Sequence, residues 1–134
     1  MTHRIGAVLY FIWGLLHVNA ASKVYALGAT LEPGMIQGRL FQGAWNLLFF
    51  AVVAMVIAVW LNWKNSPVGY WINLATVSTT DIGFVLFILI PGYLPLIPGI
   101  AGPVFWVLGV VFTSLGFLQC KQKHTTQGGQ RERT

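Results

Sequence analysis

The chain has 134 residues, of which 8% are charged and 56% hydrophobic, with a net charge of +5. A soluble domain carries about 25% charge, and this surface exposed to water would aggregate. The composition therefore excludes an ordinary soluble domain. The basic residues stand at the chain ends and in connecting loops rather than along one folded face, so nucleic acid is not an expected partner. The lipid bilayer is the expected one.

In chain order, the first apolar segment runs from about Ile5 to Tyr25. It follows a short basic start, and Val18-Asn19-Ala20 resembles a small-residue cleavage site. The apolar stretch continues past that point to Ala21, which favours a retained first helix over a removed signal peptide. Gly28, Pro33 and Gly34 break the chain. A second segment covers about Gln37 to Trp63, and Asn65, Ser66 and Pro67 make a tight turn after it. A third covers about Val68 to Ile90. Pro91, Gly92, Pro95, Pro98 and Gly99 then punctuate an uncharged link, expected in the interface or folded back over the bundle. A fourth segment covers about Ile100 to Cys120. Each is close to the ~20 residues that cross about 30 Å of hydrocarbon as a helix. No stretch alternates as a barrel strand would. The expected fold is an all-α integral membrane protein, a four-transmembrane-helix antiparallel bundle over residues 1–120. A basic, disordered tail is expected over 121–134, rich in polar residues.

Arg4, Lys64, Lys121, Lys123, Arg131 and Arg133 fall on one side of such a bundle, Lys23 and Arg39 on the other. The positive-inside rule then places both termini in the cytoplasm, as in a bacterial inner membrane or its equivalent. Trp60, Trp63 and Trp71 near the inner boundary and Tyr25 and Tyr93 near the outer one match an aromatic belt. Cys120 is the single cysteine, so an intrachain disulfide or a cysteine metal cluster is excluded. A small apolar residue at a helix end is its favoured reading over an S-acylation site.

Polar groups within the bilayer are costly and belong in the bundle interior. His17 lies 12 residues beyond Ile5, and Asp81 lies 12 beyond Gly69, which puts each about 18 Å up its helix. Asn46, Gln42 and, at the rim, Arg39 fall in the same outer half by the same count. On helical spacing, Tyr10, Trp13, His17 and Ala21 share one stripe; Arg39, Gln42 and Asn46 share another; Asn73, Val77, Asp81 and Phe84 share a third, flanked by Thr80. Trp106, Gly109, Thr113 and Gly116 mark the inner face of the last helix, small enough for close packing.

Asp81 is the sharpest feature. A carboxyl at this depth stays protonated, pairs with a cation or faces a wet cavity. His17 is its depth-matched partner, and the two form the candidate acid–base pair. The bland alternative is an interhelical clamp, although such bonds return only about 0.6 kcal/mol on average. Arg39, Gln42, Asn46, Trp13, Trp45, Asn73, Thr80 and Trp106 are the candidate ligand-binding residues, the three indoles forming an aromatic wall. Against this stand snorkelling for Arg39, amide packing for Gln42 and Asn46, and backbone capping for Ser78-Thr79-Thr80.

No phosphate loop, Cys-x-x-Cys, His-Glu-x-x-His or Gly-x-Ser-x-Gly motif is present. One embedded histidine excludes bis-histidine haem within a single chain, and no cofactor or metal is expected. Three readings follow. The first is a site that binds, or processes by acid–base chemistry, a small lipophilic ligand, in the manner of an isomerase, cyclase or hydrolase. The second is a proton-coupled small oligomeric transporter. The third is an accessory subunit or assembly factor of a larger membrane complex.

Overall fold

In the computed structural model the backbone is described for residues 1–131 and side chains for residues 1–120. The tail expected to be disordered, 121–134, lies outside the fully described residues. The elements are α1 (Thr2–Ala29), α2 (Met35–Trp60), α3 (Pro67–Phe84), a short α4 (Leu96–Gly99) and α5 (Ala101–Arg131). A 3-10 turn over Asn62–Lys64 follows α2, and a π-helical turn over Val85–Leu89 extends α3. Four long apolar helices pack antiparallel, each long and apolar enough to cross a membrane.

The boundaries have local causes. Thr30 ends α1, its hydroxyl donating to the Leu27 carbonyl at 2.8 Å. The Gln37 amide reaches back from α2 to the Gly28 and Leu31 carbonyls at 3.2 and 3.0 Å, which ties the first loop to the second helix. At the tight turn before α3, Asn65 takes the left-handed conformation that asparagine tolerates, and Pro67 occupies the first turn of α3, where its missing N–H costs nothing. The uncharged link that follows α3 holds the short α4, exposed except for Gly99, which packs against Leu89 and Leu94.

α1 is the hub and packs most extensively on α2, then on α5. It buries bulky Tyr10 and Trp13, and α2 meets it with a ridge of alanines, Ala44, Ala51, Ala54 and Ala58. Gly14 lets the two backbones come close, since a side chain there would run into Met55 and the Ala51 carbonyl. Lipid tails are as apolar as the side chains, so helices in a bilayer associate through such close packing rather than by escape from water. Val77 of α3 closes the core beside Tyr10, Trp13, Ala54 and Ala58, with Phe105, Trp106 and Val110 of α5 against it.

Candidate functional site

The inward stripe of α1 and that of α3 meet at the level of His17 and Asp81. Trp13 and His17 are one helical turn apart, and their rings stack with centroids 3.8 Å apart. The Trp13 indole N–H donates to Asp81 Oδ2 at 2.5 Å. Asp81 is fully buried, and so is Trp13. His17 is 7% exposed, so the pair touches its surroundings only on the imidazole side.

The remaining polar atoms of the pair face each other. His17 Nδ1 lies 2.9 Å from the Trp13 carbonyl. A carbonyl only accepts, so this nitrogen carries a hydrogen. In a neutral ring that leaves Nε2 as the bare, accepting nitrogen. Nε2 faces Asp81 Oδ1 at 3.8 Å. Oδ1 is buried and has no hydrogen-bond partner. The separation is within ion-pair range but beyond a direct hydrogen bond. One oxygen atom placed off the line between them, about 2.8 Å from each, bridges both. Gly102 of α5 borders this gap: a Cβ there would stand 3.0 Å from His17 Cε1 and 3.4 Å from Asp81 Oδ1. A side chain at this position would crowd both facing groups.

The other expected site residues separate into two groups. Some are interior but engaged elsewhere. Asn73, two turns along α3 from Asp81, donates to the Ala54 carbonyl of α2 at 3.2 Å. Trp106 donates to Ser78 Oγ at 2.9 Å and joins α5 to α3. Thr80 donates to the Thr76 carbonyl within its own helix at 2.9 Å. The second group faces away from the pair. Arg39, Gln42 and Asn46 are exposed on α2, and Trp45 is 68% exposed beside them. Arg39 donates to Gln42 Oε1 at 3.0 Å along this outer face. The expectation that polarity turns this stripe inward fails because the alanine ridge on the opposite side packs against α1. Large amides cannot occupy that close seam.

Trp13 was legible as an aromatic wall but not as the carboxyl's donor. The spacing of Trp13 and His17 on α1 was the available signal. Gly102 carried none, because glycines are frequent in membrane helices. Among the described residues no group of three metal-ligating side chains occurs. The arrangement therefore consists of one carboxyl and one imidazole, sharing a small gap, with an indole holding the carboxyl in place. No protein-family model, curated protein or solved structure matches the chain.

Proposed function

We propose that this integral membrane protein holds an intramembrane acid–base site, in which Asp81 and His17 share one proton and exchange it with the hydroxyl or carbonyl of a small lipophilic ligand. The observation that carries the reading is the unpartnered, buried Asp81 Oδ1 facing the accepting nitrogen of His17 across 3.8 Å. A buried polar atom without a partner costs about 1–3 kcal/mol. A ligand hydroxyl in the gap removes that cost by accepting a hydrogen bond from one group while donating to the other, and a ligand carbonyl does so by accepting from the group that holds the proton. The same exchange of donor and acceptor is the elementary step of general acid–base catalysis. Trp13 stabilises the carboxyl from its far side without occupying Oδ1. The bilayer is the source of a ligand for a site with such apolar surroundings.

The ligand-orienting role expected of Arg39, Gln42, Trp45 and Asn46 is not part of this reading, because those side chains point away from the gap. Both termini are proposed to lie in the cytoplasm of a bacterial cell or an equivalent compartment, on the charge asymmetry of the sequence.

The test combines extraction with infrared spectroscopy on protein purified from its native membrane. The wild type is expected to retain a hydroxyl- or carbonyl-bearing lipophilic compound in near-stoichiometric amount. Asp81→Asn and His17→Gln are expected to lose at least 80% of it, an effect of about 1 kcal/mol or more in occupancy. The carboxyl stretching band assigned by Asp81→Asn is expected to shift in His17→Gln. Identical extracts from all three proteins, with a band that ignores His17, would sink the proposal.

A further inference from the structure

α2 carries two opposed faces. Ala44, Ala51 and Ala58 are buried against the bundle, while Gln42 and Asn46 are exposed. Gln42 and Ala51 are nine residues apart, about two and a half helical turns, so the amide points directly away from the packed seam. Asn46 lies one turn further on the same outward face. Depth follows from Trp60, exposed at the far end of α2 and of the type that marks a membrane boundary. Asn46 stands 14 residues from it and Gln42 stands 18, about 21 and 27 Å along the axis. Both therefore fall inside a hydrocarbon layer about 30 Å thick, and Arg39 falls at its edge.

Two carboxamides turned toward lipid in a single bundle are costly: Arg39 donates to Gln42 Oε1, but hydrocarbon offers no partner to Asn46 or to the Gln42 N–H₂. Gly38, on the same face, has open space where a side chain would be, so a neighbouring helix can come close there. We propose that this face of α2 is the seam of a parallel homodimer, with a second copy of the chain as its occupant.

Self-complementarity selects the second copy over a foreign helix. Each carboxamide is both a donor and an acceptor. Two copies inserted in the same sense, related by a two-fold axis along the membrane normal, bring equal depths together. Gln42 then meets its counterpart and Asn46 meets its own, each amide N–H₂ facing a carbonyl. The charges at the rim agree. Glu32 is exposed in the loop before α2, and among the described residues the single ion-pair geometry is His17–Asp81, so Glu32 has no cation partner among them. Arg39 uses one nitrogen on Gln42 and keeps its other donors free for an acid. Each copy thus supplies one acid and one guanidinium at the same end of the same helix. Closure at a two-fold needs no further subunit. The seam stands independently of the acid–base pair, which is enclosed within one copy.

Cysteine crosslinking of the full chain in membranes tests the seam. In a Cys120→Ser background, Asn46→Cys and Gln42→Cys are expected to form an interchain disulfide on mild oxidation. Leu86→Cys, exposed on the far end of the third span, is expected to give at least tenfold less. Native mass spectrometry from lipid nanodiscs is expected to show a wild-type dimer. The pair Gln42→Leu with Asn46→Leu is expected to weaken it roughly tenfold while leaving helix content unchanged. These outward leucines place no load on the fold, so loss of the dimer is separable from unfolding. A monomeric wild type without crosslinks at 42 or 46 overturns the proposal. So does a dimer that crosslinks at 86 instead, or capture of a different membrane protein by the residues at 42 and 46.

Discussion

Trp13 does two things at once with one side chain. Its indole N–H holds Asp81 Oδ2, and its ring stacks on His17. Trp13→Phe keeps an aromatic surface under the imidazole and removes the donor. Asp81 Oδ2 then loses its protein partner, which costs about 1–3 kcal/mol. Reversible unfolding in mixed micelles is expected to show that loss, while Trp106→Phe, which breaks a half-buried bond to Ser78, is expected to lose about 1 kcal/mol or less. Equal losses in the two variants would mean that the buried carboxyl gains nothing special from the indole. Gly102→Ala probes the opposite side of the pair. The added methyl stands 3.0 Å from His17 Cε1, and either the ring gives way by a few tenths of an ångström or the gap closes. Occupancy of the ligand recovered with the protein is expected to fall at least fivefold in this variant, with unfolding changed by less than about 1 kcal/mol. Retained occupancy would move the ligand away from Gly102.

Between helices, the seam of α1 and α2 shows how small residues set geometry. Ala51 is fully buried where α2 crosses Gly14 of α1. Ala51→Leu overpacks this crossing and is expected to destabilise the bundle by about 1–3 kcal/mol. Gly83→Ala, with open space around the added carbon, is expected to be neutral or to stabilise by up to about 1 kcal/mol. Unfolding of both variants in the same micelles checks the contrast, and a neutral Ala51→Leu would mean that the crossing is looser than its burial implies. This same seam explains what the sequence revealed and what it hid. The four apolar runs and their Asn, Pro and Gly breaks reported helices directly, because hydrocarbon thickness and backbone hydrogen bonding leave few alternatives. The inward stripes of α1 and α3 were legible for a similar reason: Tyr10, Trp13, His17, Asn73 and Asp81 have no cheap place in lipid, and a single bundle has one interior. The identical rule misplaced Gln42 and Asn46. It treats the chain as complete by itself, so it sends every amide inward. Here the bulk of Tyr10 and Trp13 demanded small neighbours, and the alanine ridge won the interior face of α2. Which of two possible faces packs depends on residue volume on the facing helix, and periodicity along one helix contains no such information.

The molecule as a whole is charged unevenly along its axis, and the fold makes that unevenness physical. Arg4 lies over the Trp63 ring at 5.4 Å, Asn65 donates to the Gly116 carbonyl, and Thr2 donates to Gln119. These contacts gather both ends of the described bundle, with Lys64, at one pole. Lys23, Glu32, Arg39 and the link after α3 stand toward the other. The basic residues from Lys121 to Arg133 follow the first pole in sequence. Retaining Lys and Arg on the cytoplasmic side is a property of insertion, so the pole with the excess is expected inside. A membrane-impermeant thiol reagent distinguishes the two orientations. Cys120, exposed at the basic pole, is expected to resist labelling in intact cells and to react at least fivefold more after permeabilisation. Tyr93→Cys in a Cys120→Ser background, exposed in the opposite link, is expected to label in both conditions. The reverse pattern inverts the orientation but leaves the bundle, the His17–Asp81 gap and the α2 seam where they are, because none of them depends on which face is inside. A mixture of both patterns is a different matter. Copies inserted in opposite senses cannot bring Gln42 and Asn46 to equal depth, so dual orientation would remove the geometric basis of the parallel dimer.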